Sequence, residues 1–267
     1  METIDKFADV AAARARLLRD NPGGFFLSAM MAGVYVGLGI ILIFSLGAEV
    51  DPSMRRLVMG ASFGIALTLV IFAGSDLFTG LTMSMTHGWL RGRTSLGDLG
   101  RVWGVSWLGN FAGAALVAGL FAAAGGGAIL YGKSTLLFDV ATLKMTAPPL
   151  ALFARGILCN WLVCLAVWMS LRMTGDAAKC IAIFWCLFAF IASGYEHSVA
   201  NMTLLVMALL GNAPPTVTIG GLAYNLLWVT LGNIVSGAGF MGLGYWLVAR
   251  SNSRAAAVAA VGMARTV

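Results

Sequence analysis

The sequence predicts an all-α integral membrane protein in which six helices cross the bilayer. Two observations lead to this fold class: 60% of the 267 residues are hydrophobic while only 10% are charged, and the apolar residues gather in long runs separated by short polar stretches. A mean hydropathy of +0.89 excludes an ordinary soluble domain. We therefore expect a single domain that is mostly embedded in lipid and has short loops.

The first residues predict an amphipathic helix over residues 1–21. Apolar side chains recur near helical spacing from Ile4 through Phe7 and Ala11 to Leu18, and charged residues stand between them. These charges indicate that the segment is not a secretory signal peptide, whose centre is uniformly apolar. We expect this helix to lie on the membrane surface.

Four of the apolar runs have the length of one simple span, which needs about 20 residues. These predicted spans are Phe25–Gly47, Val102–Ala124, Leu150–Leu171 and Leu222–Ala249. A longer loop is expected between the second and third of these four, from Gly125 to Pro149. The membrane domain therefore covers residues 22–250, and the alanine-rich residues 251–267 are expected to form a disordered cytoplasmic tail.

Two further runs are too long for one span and too short for two. The first, Arg56–Leu90, is interrupted by Gly-Ser-Asp at 74–76, and the second, Lys179–Leu210, by Ser-Gly at 193–194. We interpret them as the second and fifth spans of the chain. Each is expected to be broken into two half-helices near the middle of the membrane.

A short internal repeat relates the two halves of the chain. Leu-Gly-Asn at 108–110 in the third span recurs at 231–233 in the sixth, and the broken second span corresponds in order to the broken fifth. Three spans in each half give the halves opposite orientations in the membrane, which is a 3+3 inverted repeat. In transporters with such repeats, the substrate site lies where the discontinuous helices meet.

The basic residues follow this topology. With the N-terminus inside, twelve of the 17 Lys and Arg residues fall in cytoplasmic segments and five in external segments. Basic residues concentrate on the cytoplasmic side of membrane proteins, so both termini are predicted to be cytoplasmic. Topology thereby explains the net charge of +6, and no nucleic-acid partner is expected.

The stretch Gly194–Met202, which reads GYEHSVANM, places ionisable residues at the depth of the fifth break. Such residues inside a membrane are costly and usually functional. The half-helices are expected to resume near Thr79 and near Ser198, whose hydroxyls can cap the free N–H groups. Two helix N-termini facing one cavity favour a small anion. His197 at the same depth can share a proton with a weak acid.

Other polar residues near the breaks are interpreted as structural. Backbone groups freed at a helix break need partners, and the residues expected to supply them are Ser75, Asp76, Glu196, Ser198 and Asn201. Asn160 in the fourth span can bond either a helix backbone or a substrate. His87 is expected at the cytoplasmic interface of the membrane.

Electron transfer and enzymatic activity fit the sequence less well. A membrane haem of the b type needs two facing axial ligands. His87 stands about 12 Å along its helix from Thr79, where the second span resumes after its break, so it is badly placed to pair with His197. No zinc-binding pattern and no nucleotide-binding motif occurs in a suitable context. We therefore expect a channel or transporter that is not an enzyme and has no cofactor or metal.

Four motifs give the chain a specific resemblance. AGSDLFTG (73–80), WLGN (107–110), GILCNWLVCLAVW (156–168) and SGYEHSVANM (193–202) are similar to motifs of the formate/nitrite transporter family. The chain looks closest to the bacterial nitrite-channel branch, notably in GLGIILIF (37–44). It departs from the family pattern at Asp76, where Glu is usual, and at Tyr224, where His is expected.

The resemblance implies an aquaporin-like protomer with six helices that assembles as a homopentamer with one pore in each protomer. In this pattern His197 is the central histidine, Thr79 is its partner on the other break, and Asn160 lines the same chamber. Lys144 matches a lysine that draws anions towards the pore. The apolar constrictions correspond to Phe63, Leu67 and Phe190 on one side and to Leu77 and Phe78 on the other.

The function implied by the resemblance is the passage of nitrite through the inner membrane of a bacterium. Formate or another small monocarboxylate is the alternative substrate, because the same site chemistry serves either weak acid. The partners implied are nitrite or formate, protons, the lipid bilayer and further copies of the chain.

Overall fold

The computed structural model describes residues 1–132 and 134–252, and every regular element in that part of the chain is a helix. The α-helices are α1 (Glu2–Asp20), α2 (Pro22–Glu49), α3 (Arg55–Ser62), α4 (Gly64–Ala73), α5 (Phe78–Leu90), α6 (Leu96–Ala123), α7 (Gly127–Leu130), α8 (Leu136–Thr146), α9 (Pro149–Arg172), α10 (Asp176–Ala192), α11 (Ser198–Leu210) and α12 (Ile219–Ile234). A π-helical segment, Val235–Gly244, continues α12, and helix then extends to Asn252. From residue 253 onwards, the predicted tail falls outside the described residues.

Five helical stretches in the described residues are long and apolar enough to cross a membrane. They are Pro22–Glu49, Arg55–Ala73, Leu96–Ala123, Pro149–Arg172 and Ile219–Asn252. The predicted fifth span corresponds to two shorter helices, α10 and α11, of 17 and 13 residues. Large apolar side chains such as Leu108, Leu120 and Trp185 remain exposed, as expected of surfaces that face lipid or other membrane helices.

The N-terminal helix α1 packs its apolar face against the protein. Ile4, Phe7, Ala8, Ala11 and Ala15 are each at most 3% exposed, and the helix lies across α5. Its charged residues pair with other elements: Asp5 with Arg91, Asp9 with Arg93, Arg14 with Asp76 and Arg19 with Asp98. The pairs of Asp5, Asp9 and Arg19 are in contact with solvent and each contribute at most about 1 kcal/mol, while Arg14 pairs with the buried Asp76. The buried apolar face is therefore the main attachment of α1.

The prediction of a loop between the third and fourth spans is wrong, because α7 and α8 occupy most of it. In α8, Leu137, Ala141 and Met145 stand four residues apart and are buried against neighbouring helices. The helix has only 11 residues and no side-chain cap at its N-terminus, so its local signal in the sequence is weak. Its last turn carries Lys144, one of the predicted pathway residues.

Glycines let two pairs of long helices approach backbone to backbone. Between α2 and α6, a Cβ atom on Gly33 would collide with the carbonyl oxygen of Asn110. Between α9 and α12, a Cβ atom on Gly232 would collide with the carbonyl oxygen of Phe153. Small residues bring transmembrane helices together in this way. As a result, Asn110 and Asn233 each lie against the first long helix of their own half of the chain.

Two helical runs are interrupted at glycines. α4 ends at Ala73 and Gly74 has a φ of 76°, while α10 ends at Ala192 and Gly194 has a φ of 72°. A residue with a side chain is strained at such angles and glycine is not, which explains why the chain can turn there. The helices resume as α5 and α11, and both begin with buried residues.

Candidate functional site

Asn110 holds the first interruption in place through three buried hydrogen bonds. Its Oδ1 accepts from the backbone N–H of Phe78, the first residue of α5, at 2.9 Å. Its Nδ2 donates to the carbonyl oxygens of Ala29 in α2, at 2.7 Å, and of Asp76 in the interruption, at 3.0 Å. One side chain from α6 thus satisfies two backbone groups of the interruption that would otherwise be buried without partners, and adds a second bond to a carbonyl oxygen within α2.

Asn233 performs the same task at the second interruption. Its Oδ1 accepts from the backbone N–H of Ser198, the first residue of α11, at 3.0 Å. Its Nδ2 donates to the carbonyl oxygens of Gly156 in α9, at 2.8 Å, and of Glu196 in the interruption, at 3.2 Å. The partners correspond to those of Asn110: the start of the resumed helix, the interruption itself, and the first long helix of the same half.

Sequence reasoning misses both asparagines as site residues, although the repeat of Leu-Gly-Asn marks them. A repeat shows that one side chain occurs twice, but it does not show what that side chain bonds. The caps predicted at Thr79 and Ser198 are wrong. α5 has no side-chain cap, and α11 is capped by His197. The Ser198 hydroxyl is buried with no hydrogen-bond partner among the described residues.

The first interruption carries a buried carboxylate that is paired with a cation. Asp76 accepts from the hydroxyl of Ser28 at 2.7 Å and lies 2.7 Å from Nε of Arg14 in α1. A buried charge is costly unless it is paired and hydrogen-bonded, and Asp76 is both. The neighbouring Ser75 donates to the carbonyl oxygen of Val70 at 3.4 Å and so helps to close the end of α4.

The second interruption carries the corresponding pair. Oε2 of Glu196 lies 2.8 Å from Nζ of Lys144 and accepts from Nδ2 of Asn201 at 2.6 Å. Asn201 also donates to Oδ1 of Asn225 at 2.8 Å, and Asn225 donates to the carbonyl oxygen of Lys144 at 2.9 Å. These bonds tie α8, the interruption, α11 and α12 together, so Glu196 has the geometry of a structural residue.

His197 and Thr79 bring the two interruptions together. Nε2 of His197 lies 3.0 Å from Oγ1 of Thr79, and both side chains are buried. Nδ1 of the same ring accepts from the backbone N–H of Ala200 at 3.1 Å. A ring nitrogen that accepts a hydrogen bond carries no proton, so the neutral ring has its proton on Nε2, facing Thr79. The hydroxyl proton of Thr79 is then free for donation to a third group.

Three cavities near this contact adjoin one another through shared lining residues. The α1 vestibule, of about 360 Å³, lies beneath α1 and is lined by Arg14 and Lys179 among mostly apolar residues. The α8 vestibule, of about 300 Å³, is lined by Lys144, Arg56 and His197 among others. Between them lies a chamber of about 10 Å³, which is room for one water molecule.

Apolar side chains separate the chamber from the two vestibules. Leu67 and Leu77 border both the chamber and the α1 vestibule, while Phe190 and His197 border both the chamber and the α8 vestibule. Phe63 lines the chamber and packs edge-on against Phe190, with ring centroids 5.5 Å apart. The structure thus brings four of the five residues predicted to form constrictions to one chamber.

Three of the predicted pathway and constriction residues, Thr79, Asn160 and Phe78, are not among the residues that line these cavities, and Thr79 meets the chamber only through its contact with His197. Asn160 is fully buried, and its Nδ2 is within hydrogen-bonding distance of the carbonyl oxygens of Asn233, at 2.6 Å, and Thr79, at 3.3 Å. It therefore braces the Thr79 segment from α9. Phe78 lies in the hydrophobic core and is not among the residues that line these three cavities.

His87 occupies a place that the sequence does not predict. It is fully buried rather than interfacial, and its ring lies 5.7 Å from the ring of Phe7 in α1 and 5.7 Å from that of Trp168 in α9. The expectation of an interfacial residue is wrong because α1 covers this end of α5. Local periodicity does not show which helix covers another.

Comparison with known proteins gives the chain its family. The family model described as formate/nitrite transporter matches residues 1–247. The chain belongs to the formate/nitrite transporter family. Among its relatives, "Nitrite transporter NirC" of Escherichia coli (strain K12) is 58% identical over 245 residues, covering 92% of this chain and 91% of that protein. The "Probable formate transporter" of Methanothermobacter thermautotrophicus is 36% identical over 265 residues, covering 90% and 94%.

Solved structures of the formate/nitrite transporter family have the same fold. An "FNT family ion channel" has a TM-score of 0.90 at 56% identity and covers 92% of this chain and 98% of that one. A "Pentameric formate channel with formate bound" has a TM-score of 0.72 at 27% identity, with 84% and 96% covered. The predicted resemblance is confirmed. The chain is a multi-pass membrane protein from a family of transporters and channels, not an enzyme.

Proposed function

We propose that this protein is a membrane channel through which nitrite crosses as a small weak-acid anion. The observation that carries the proposal is the contact between His197 and Thr79, which lies beside a small chamber between two vestibules that contain cations. Relatives named as nitrite transporters, at 55% to 58% identity, support nitrite as the substrate. A conduit with one polar contact in an apolar constriction suits a small ion that can take up a proton.

The two interrupted helical runs form, in this proposal, the second and fifth of six spans, each broken near the middle of the membrane. α4 and α5 are then the halves of the second span, and α10 and α11 the halves of the fifth. The matching hydrogen bonds of Asn110 and Asn233 support this arrangement. A 3+3 inverted repeat explains why the same side chain performs the same task in each half.

The starts of α5 and α11 act on the anion mainly through their electric field, because some of their first N–H groups are already bonded to side chains. A helix N-terminus carries a partial positive charge. Asn110 and Asn233 already accept from the first N–H of each helix, and His197 accepts from a third N–H in α11. We assign the direct hydrogen bond to the substrate to the hydroxyl of Thr79, which stands at the start of α5 and contacts His197.

Proton sharing runs through Thr79 in this mechanism. Neutral His197 donates from Nε2 to Oγ1 of Thr79, and the Thr79 hydroxyl donates to a substrate oxygen. Loss of the ring proton would leave an imidazolate, and a second ring proton on Nδ1 would displace the hydrogen bond from Ala200. The proton is thus shared along a line of hydrogen bonds, and His197 stays neutral throughout.

The apolar walls explain why a weak acid crosses better than a permanent anion. The chamber holds no more than about 10 Å³, so passage requires side chains such as Leu67 and Phe190 to move. An unpaired charge is costly in apolar surroundings. A substrate whose charge is stabilised by the hydrogen bond from Thr79, or that takes up a proton from water before it enters, meets a lower barrier there.

The assembly proposed is a homopentamer in the inner membrane of a bacterium, with both termini cytoplasmic. A relative described as a pentameric formate channel supports the assembly, and the excess of basic residues in predicted cytoplasmic segments supports the orientation. The α1 vestibule then faces the cytoplasm and the α8 vestibule faces outwards.

Formate is the second candidate substrate. A solved structure with formate bound shares the fold at 27% identity, and a relative named as a probable formate transporter is 36% identical. Both nitrite and formate are small anions of weak acids, so the His197–Thr79 contact can serve either. The higher identity of the relatives named for nitrite favours nitrite.

Flux through proteoliposomes tests the proposal and separates the two substrates. We expect nitrite to permeate faster than formate, and chloride to permeate at least about tenfold more slowly than either, because chloride cannot share a proton. Liposomes without protein provide the background rate. If formate permeates faster than nitrite, formate is the preferred substrate. A chloride flux equal to that of nitrite would contradict proton sharing.

Lys144→Met is expected to reduce nitrite flux by about tenfold, corresponding to ~1.4 kcal/mol in the barrier. The substitution leaves Glu196, which is 2% exposed, as an unpaired carboxylate beside the anion path. The double variant Lys144→Met/Glu196→Gln removes that charge and is expected to recover most of the flux. Proteoliposome flux and thermal unfolding in detergent measure both effects. Equal losses in the single and double variants would show that Lys144 acts on the anion directly.

A further inference from the structure

The α1 vestibule has no cation with an uncompensated charge among its lining residues. Arg14 lies 2.7 Å from Asp76. Lys179, the other cation that lines this cavity, lies 2.9 Å from Asp176. Each positive charge is therefore matched by a carboxylate at contact distance, and the pairs present little net field to an approaching anion.

Two of the three cations that line the α8 vestibule are also compensated. Lys144 is paired with the buried carboxylate of Glu196 at 2.8 Å. Arg55 donates from Nε to the carbonyl oxygen of Gly47 at 3.1 Å, in the last turn of α2, where the partial negative charge of the helix C-terminus opposes the charge of the arginine. Neither Lys144 nor Arg55 is thus a source of unopposed positive charge.

The third cation, Arg56, is different. Its side chain is exposed at the mouth of the α8 vestibule, and it forms no ion pair within the described part of the chain. The acidic residues of the preceding loop, Glu49 and Asp51, are not among those that line the cavity. An arginine keeps its charge over the whole physiological pH range.

We propose that Arg56 supplies the net positive field that draws the substrate anion into the α8 vestibule. This inference rests on the proposed function, since it assumes that an anion enters there. One unit charge about 6 Å away in water raises the local concentration of a monovalent anion by about threefold at low ionic strength. Capture by Arg56 is independent of pH, so it is separable from proton sharing at His197.

The two vestibules therefore differ in how strongly they attract the substrate anion. The α8 vestibule has an uncompensated cation and the α1 vestibule has none among its described lining residues. The anion concentration that gives half-maximal flux is therefore lower when the anion enters from the α8 side, and salt removes the difference by screening.

The test measures initial nitrite uptake into proteoliposomes against nitrite concentration for the full chain and three variants. Arg56→Gln removes the charge and Arg56→Lys keeps it. Arg155→Gln is the matched control, because Arg155 is an exposed arginine of α9 that lines neither vestibule. Each protein is assayed at about 0.01 M and about 1 M ionic strength, where the Debye lengths are ~30 Å and ~3 Å.

We expect the half-saturating concentration of the unaltered protein, of Arg56→Lys and of Arg155→Gln to rise about threefold from low to high salt. Arg56→Gln should already have the raised value at low salt and should not change, with its maximal rate retained. The proposal would be overturned if Arg56→Gln had the same half-saturating nitrite concentration at low salt as the unaltered protein. It would also be overturned if the half-saturating concentration of the unaltered protein did not change with salt, a result that can be obtained without any variant. Absence of any nitrite flux in the unaltered protein would instead reject the proposed function, and this inference with it.

Discussion

Replacing His197 by asparagine is expected to lower nitrite flux by about 100-fold while the protein stays folded. Asparagine is a good N-cap, so the N–H of Ala200 keeps an acceptor. No group then replaces Nε2, which lies 3.0 Å from the Thr79 hydroxyl. Loss of that donor and of the hydroxyl orientation removes about 2.7 kcal/mol of stabilisation in the constriction, which corresponds to the 100-fold.

The pH dependence gives the sharper test of the same variant. In the unaltered protein both the hydrogen-bonded anion and the neutral acid cross. The flux therefore rises only gradually as the pH falls. Without Nε2, the residual flux is carried by the fully protonated acid. Binding one whole proton makes that flux fall about tenfold for each unit of rising pH above the pKa of the acid. Proteoliposome uptake between pH 5 and pH 8, read as a slope, measures the change.

Two further variants separate the hydrogen bond from the cap. Thr79→Ser keeps a hydroxyl opposite His197 and is expected to conduct nearly as well as the unaltered protein. Thr79→Val removes the hydroxyl and is expected to resemble His197→Asn. If His197→Asn conducts nitrite with the unaltered pH profile, the histidine serves only to cap α11, and the proposed mechanism is wrong.

The positions of the long helices were predictable because the membrane sets their length and composition. The predicted fourth span, Leu150–Leu171, differs from α9, Pro149–Arg172, by one residue at each end. The short helix α8 was not predictable, because its stability comes from packing rather than from its own sequence. The burial of His87 depends on α1, whose contact with α5 bridges distant parts of the chain.

The candidate site shows the same division between local and distant information. His197 could be identified from its sequence surroundings alone, since an ionisable residue within an apolar run is costly. That it caps α11 through Nδ1 while Nε2 faces Thr79 could not, because those bonds depend on how α5 and α11 meet. Asn110 and Asn233 likewise bond groups that lie far away in sequence.

Replacing Asn233 by leucine is expected to lower the free energy of unfolding by roughly 4 kcal/mol. Leucine has a similar shape but leaves the N–H of Ser198 and the carbonyl oxygen of Glu196 buried without their partner, and removes the additional bond to the carbonyl oxygen of Gly156 within α9. Each such group costs about 1–3 kcal/mol. Chemical denaturation in detergent measures the loss. Asn212→Leu, at an exposed position after α11, is the matched control and should be close to neutral.

The corresponding substitution at Asn110 tests whether the two halves are equivalent. Asn110→Leu orphans the N–H of Phe78 and the carbonyl oxygen of Asp76 and removes the additional bond to the carbonyl oxygen of Ala29, which keeps its partner within α2. The same three kinds of group are affected, so the cost should match that of Asn233→Leu within about 1 kcal/mol. A near-neutral result at only one of the two positions would mean that Asn110 and Asn233 are not equivalent. The inverted repeat would then lose its main support.

The double variant shows whether the two interruptions act as one site. Asn110 fixes the start of the helix that carries Thr79, and Asn233 fixes the start of the helix that His197 caps. Because the interruptions meet at the contact between His197 and Thr79, the loss of either asparagine already moves one of these two side chains away from the other. The loss of nitrite flux in the double variant should therefore be clearly smaller than the product of the two single losses. Independent, multiplicative losses would place the two asparagines in separate structural roles, unconnected through the pore.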